Sequence, residues 1–168
     1  SSIAGAKRLE VCIEGMAAHA GTMPMNMRQD ALAAAARAVT AIEDAANAHH
    51  VVATVGQRYG EPGGVNVVPG RCTFSIDIRA GSDTQRDTAL NAALTEIGRI
   101  CTARNLQHTV TPLHAASGAA CDATLPEGIA ADILGHDKAT MSYGVYSGGA
   151  SLDQKLDAIL KLDYKLLP

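Results

Sequence analysis

The chain has no tryptophan and a single phenylalanine, Phe74, in 168 residues. Its core must therefore be assembled from Ala, Val, Ile and Leu, within an apolar content of 47%. No stretch of 18 consecutive apolar residues occurs, so no segment reads as a membrane span. Basic excess is also missing: 14 Lys and Arg stand against 17 Asp and Glu, a net charge of −3. Nucleic-acid binding calls for a basic patch, and nothing in this balance supplies one. The four cysteines (Cys12, Cys72, Cys101, Cys121) are widely spaced with no C-x-x-C, which excludes zinc-ribbon and dithiol redox motifs. Three of them lie in apolar patterns and read as buried free thiols of a reducing, cytoplasmic setting. His-Glu-x-x-His, Gly-x-Ser-x-Gly and the phosphate-cradling P-loop are all missing. The start, Ser1-Ser-Ile-Ala-Gly-Ala-Lys-Arg8, has neither an initiator Met nor a signal pattern and reads as an excised piece of something longer.

What is present is periodic. Leu9, Val11 and Ile13 alternate with Arg8, Glu10, Cys12 and Glu14, the pattern of a half-buried strand. From about Arg28 to Asn47 the period becomes helical, with Leu32, Ala35, Ala36, Val39, Ile42 and Ala46 on one face. Val51–Val55 is a short β-rich run, followed by Gly56 and a turn region at Gly60-Glu-Pro-Gly-Gly64. Cys72, Phe74, Ile76 and Ile78 then alternate with Thr73, Ser75, Asp77 and Arg79, the clearest strand in the sequence. Ser82 or Asp83 caps a second helix, whose stripe is Leu90, Ala93, Leu94, Ile97, Ile100 and Cys101. Asn105 ends it, and Gln107–Leu113 is a last strand. The order β-α-β-β-α-β predicts an α+β, ferredoxin-like two-layer sandwich: a four-stranded antiparallel sheet of half-buried strands with both helices on one face. Residues 1–117 form this domain, and 118–168 an extension without a firm pattern. Leu125–Leu134 and Ser151–Leu162 read there as short helices, with a turn-rich Ser142–Ala150 between them.

Three residues stand apart as candidates for chemistry. His19 sits in Gly15-Met-Ala-Ala-His-Ala-Gly-Thr-Met-Pro24, the turn between first strand and first helix, where a rigid scaffold can aim it outward. Asn66 lies in the link between second and third strands, and Arg79 closes the third. An arginine fork with an amide neighbour suits a carboxylate, and an imidazole can donate to an oxygen gaining negative charge. Each also has a plain reading: His19 capping its turn, Asn66 in a left-handed position, Arg79 paired with Asp77 or Asp83. If they act together, the three should converge at one rim of the sandwich. His49-His50, Gly135-His136-Asp137 and Ser147-Gly-Gly-Ala150 read as a helix end and two loops.

His19-Ala-Gly-Thr-Met-Pro-Met25, Arg28-Gln-Asp-Ala-Leu32, Thr54-Val-Gly56, Val65-Asn-Val-Val-Pro-Gly70 and Phe74-Ser-Ile-Asp-Ile-Arg79 occur in this order. Together they resemble the dinuclear-metal amidohydrolases that include N-carbamoyl-L-amino-acid hydrolases, allantoate amidohydrolases and β-ureidopropionases, within the aminoacylase and carboxypeptidase-like metallopeptidase superfamily. The likeness covers residues 1 to about 115. It implies the inserted lid and dimerisation domain of an enzyme whose separate catalytic domain holds two divalent metals (Zn, Mn, Co or Ni), none of them bound by this chain. It further implies that His19 reaches an active site, often the neighbouring subunit's, to polarise the scissile carbonyl. Asn66 and Arg79 would then bind the carboxylate of a ureido substrate. A homodimer through this domain is expected, and the chain alone should be inactive. Ser147-Gly-Gly-Ala-Ser-Leu-Asp153 is a faint echo of the family's return to the catalytic domain, and its histidine is replaced. The contrasting expectation is a free-standing ferredoxin-like module that dimerises or senses a small carboxylate without catalysis.

Overall fold

The structure, a computed structural model, describes residues 2–120. Cys121 and the elements expected within 121–168, including Gly135-His136-Asp137 and Ser147–Ala150, lie outside the described residues. Ala4–Ala119 form one compact unit.

Strand β1 (Gly5–Glu14) runs into a two-residue strand β2 (Ala18–His19) and a turn of 3-10 helix at Met25–Met27. Helix α1 (Ala31–Ala48) follows, then β3 (Val52–Thr54), β4 (Arg58–Glu61), β5 (Val67–Val68) and β6 (Arg71–Ala80). Helix α2 (Asp83–Ala103) and strand β7 (Gln107–Ala116) complete the unit. The central pair is β1 against β6, antiparallel without interruption from Gly5↔Ala80 to Glu14↔Arg71. β7 pairs with the other edge of β1, while β3 and β4 both pair with the outer edge of β6, all antiparallel. Counting β3 and β4 as one interrupted strand, this is the expected ferredoxin-like order.

Alternation puts Leu9, Val11 and Ile13 beside Cys72, Phe74, Ile76 and Ile78 on one face, where both helices cover them in a single buried cluster. Apart from Phe74 and the thiols of Cys72 and Cys101 the cluster is aliphatic, as the scarcity of aromatics required. Cys12, Cys72 and Cys101 are buried and free, and burial raises the thiols of Cys72 and Cys101. Among the described residues, no helix is long and apolar enough to cross a membrane.

The structure corrects the sequence reading in four places. Helix α1 begins at Ala31, not Arg28, because the Asp30 carboxylate accepts the Ala33 N–H at 2.9 Å and caps it. Its buried stripe is Ala31, Ala34, Ala35, Ala38, Ile42 and Ala46; Ala36 is exposed and Val39 half-buried. The helix lies on its smallest side chains. The run through Gly60-Glu61 is strand rather than turn, because the outer edge of β6 still offers backbone partners there; the chain turns at Gly63, with φ of +83°. Finally, β7 is not half-buried: only Val110 is partly covered, since the two helices sit over the central strands. Ser82, rather than Asp83, caps α2 through the Gln85 N–H, and Asn105 ends it with φ of 55°.

Candidate functional site

His19 is held by a small ladder of its own. Ala18 and His19 pair with Val68 and Val67, and the Ala20 N–H donates to the Asn66 carbonyl at 2.8 Å. Imidazole and amide therefore project from two hydrogen-bonded segments. Close approaches fix this ladder on the sheet. The Gly15 N–H donates to the Gly70 carbonyl at 2.7 Å, and a Cβ on Gly70 would lie 2.5 Å from the Ala17 nitrogen. Only glycine at position 70 lets the two links cross this closely.

Beyond His19 the loop is tied down by Arg28, whose Nε and Nη2 donate to the Met23 and Ala20 carbonyls at 3.0 and 2.6 Å. Sequence reasoning counted Arg28 as helix and missed this role; its position two residues ahead of the Asp30 cap was the available signal. Within the loop, the Gly21 N–H donates to Nδ1 of His19 at 3.1 Å. A ring nitrogen that accepts carries no proton, so the neutral imidazole keeps its hydrogen on Nε2. His19 is exposed, and it presents Nε2–H as a donor.

Arg79 lies elsewhere. It sits opposite Ala6 near one end of the central pair, while Arg71 and Glu14 mark the end that leads into His19 and Asn66. Eight residues of extended chain separate Arg79 from Arg71, roughly 26 Å at about 3.3 Å per residue. The expectation of one shared rim within a chain is thus not met: His19 and Asn66 come together, and Arg79 stands at the opposite end. The reason is that Arg79 closes a ten-residue strand that begins where the Asn66 link ends.

Around Arg79 the outer face of the sheet is charged. Its Nε and Nη2 grip both oxygens of Asp77 at 2.8 and 2.9 Å, and Nε of Arg8 reaches the same carboxylate at 2.9 Å. Hydrogen bonds from Arg79, ahead of that from Arg8, outweigh partial burial and lower the Asp77 carboxyl to about 2. These groups border an open cavity of about 600 Å³, also lined by Val52, Thr54, Ser75 and Leu113.

No group of three or more His, Cys, Asp or Glu among the described residues is placed to hold a metal ion. His49 and His50 end α1 as adjacent residues, and Nδ1 of His19 is already engaged. The donor set described here does not fit a dinuclear centre.

A split-βαβ sandwich that presents a loop histidine and amide at one end and an arginine cavity at the other places the chain in the class of small α+β two-layer domains. Residues 2–104 match the peptidase dimerisation domain, and the chain belongs to that family. It is 33% identical over 143 residues to allantoate deiminase 1 of Glycine max, covering 73% of this chain and 30% of that protein. With the N-carbamoyl-L-amino acid amidohydrolase of Geobacillus stearothermophilus it shares 36% over 122 residues, covering 72% of this chain and 30% of that one. A solved amidase of the hydantoinase/carbamoylase family from Burkholderia multivorans superposes with a TM-score of 0.73 at 28% identity, over 81% of this chain and 34% of that one. The chain thus spans about a third of the length of the proteins it matches.

Proposed function

We propose that this domain serves a metal-dependent amidohydrolase that cleaves the carbamoyl (ureido) C–N bond of N-carbamoyl amino acids or allantoate. Names of its relatives support the substrate class, since they include allantoate deiminases and N-carbamoyl-L-amino-acid amidohydrolases. Two divalent metals, held by residues outside Ala4–Ala119, would supply Lewis acidity in the complete protein.

The observation that carries the reading is the Gly21 N–H bond to His19 Nδ1. It leaves Nε2–H free to donate to the carbonyl oxygen of a ureido group as that oxygen gains charge. The Asn66 amide, one hydrogen bond away along the backbone, adds a neutral donor. Arg79 takes the substrate carboxylate with the N–H groups that Asp77 leaves free. Because Arg79 lies at the far end of the sheet, a complete site takes His19 and Asn66 from one copy and Arg79 from another. A homodimer follows from this arrangement. The edge of β7 that does not face β1 has no strand partner among the described residues and offers backbone groups for assembly.

Mixed dimers of the whole protein test the reading. His19→Ala and Arg79→Ala are each expected to be nearly inactive. Mixing them leaves one intact site in every heterodimer, so about a quarter of wild-type turnover should return. No recovery from verified heterodimers would show that both residues serve a site within one chain, or none.

A further inference from the structure

Arg79 alone does not account for the cavity it borders. Its Nε and one N–H of Nη2 are committed to Asp77, which leaves Nη1 and the second Nη2 N–H as free donors. Arg8 spends only Nε on Asp77, and its two terminal nitrogens have no acceptor among the described residues. One carboxylate thus tethers two guanidinium groups side by side, and the three charges sum to +1. Tethering removes rotamer freedom that each long side chain would otherwise lose on binding. The Asp77 carboxyl, lowered to about 2, stays ionised across the physiological range and keeps the tether in place.

Aliphatic side chains flank the tether on its two sides, Val52 across from Arg79 on β3 and Leu113 beyond Arg8 on β7. The pairing of β7 with β1 slips between Arg8 and Leu9, so that Pro112 faces Leu9, His114 faces Arg8, and Leu113 has no partner of its own. Such a bulge re-aims the extra side chain. Leu113 lines the cavity although it is 59% exposed, and so does Val52, 69% exposed. An isolated aliphatic side chain next to Arg8, that of Leu113, provides a place for a short hydrocarbon attached to an anion.

We infer that Arg8 is a second carboxylate-binding residue of the Arg79 cavity. The ligand class is a small carboxylate bearing a short aliphatic group, with the carboxylate against the free donors of Arg8 and Arg79 and the aliphatic group against Leu113. The inference rests on the proposed role of Arg79 and extends it: Arg8 contributes affinity, and Leu113 contributes a preference for a branched side chain.

Titration of the 168-residue chain with N-carbamoyl-L-valine, followed through the arginine Nε–H signals by NMR, tests this. Both Arg8 and Arg79 signals should shift along one saturable curve, and L-valinamide, which lacks the carboxylate, should shift neither. Arg8→Gln should raise the dissociation constant about tenfold, with Arg8→Lys between the two. Leu113→Ser should weaken N-carbamoyl-L-valine more than N-carbamoylglycine. Unchanged amide signals across the rest of the sheet show that each variant folds. If Arg79→Gln abolishes binding while Arg8→Gln stays within twofold of wild type, the inference is overturned and the Arg79 reading stands. No saturable shift with any carboxylate also overturns it, and the mixed-dimer result then judges the Arg79 reading separately.

Discussion

The backbone N–H of Gly21 donates to Nδ1 of His19 at 3.1 Å, so a residue two positions along the loop decides which ring nitrogen keeps its proton. In the neutral imidazole that nitrogen is Nε2. Long-range ¹H–¹⁵N spectra at a pH where His19 is neutral should show an acceptor-type Nδ1 and a protonated Nε2. A Cβ at position 21 would lie 3.1 Å from His19 Cε1, so Gly21→Ala should turn the ring and mix the tautomers. An unchanged spectrum would mean that the loop does not set the tautomer.

Loss of the imidazole has a separate expectation. In the complete protein, His19→Ala should lower turnover by about two orders of magnitude, the scale for removing one oxyanion donor. His19 is exposed, so thermal unfolding should move little. A large fall in Tm would instead make His19 a structural element of the loop.

Arg86 is a structural node that the helical pattern concealed. It falls among the buried residues of α2, with its side chain 4% exposed. Its guanidinium donates to Asp83 at 2.6 Å, Asp87 at 2.9 Å and the Ala116 carbonyl at 3.1 Å. Asp83 also accepts the Gly118 N–H at 3.0 Å, and a Cβ on Gly5 would collide with both Asp83 and Arg86. Arg86 thus fastens both ends of the domain to the start of α2. Removing a buried partner generally costs about 3–5 kcal/mol. Both aspartates here remain near solvent and can rehydrate, so Arg86→Met should cost less, about 2 kcal/mol by urea unfolding. A neutral result would make the node dispensable.

Much of this was legible because alternation and helical period are local. The charged and apolar positions of β1 and β6 sort onto opposite faces as written in the sequence, and the two helices follow from their stripes. What could not be read depends on three-dimensional spacing. The α1 face turned toward Ala31, Ala34 and Ala38 because alanines let the helix lie close to the sheet, a matter of depth that periodicity does not encode. Arg79 was expected beside His19 because motifs give an order along the chain, not the length of strand between them. Arg8 carried no mark of its own: its meaning comes from Asp77, its direct cross-strand partner in the β1–β6 register.

Acid should weaken the fold partly through Asp77. Its carboxyl is held at about 2 in the folded chain, below its ordinary 3.8, so the unfolded chain takes up the proton first as pH falls. The contribution is therefore complete above about pH 4 and is lost as pH drops toward about 2. Asp83, held down first by the Gly118 N–H, Asp87 by Arg86 and Glu96 by Arg99 add contributions of the same sign. Asp77→Asn keeps the shape and removes the titration, so its urea midpoint should vary less between about pH 5 and pH 2.5 than that of the wild type. Because Arg8 and Arg79 lose their shared anion, the variant should also be less stable at neutral pH, and the two curves should draw together in acid. Curves that stay parallel over this range would mean that Asp77 has the same proton affinity folded and unfolded, and that the two arginines are not held by its charge.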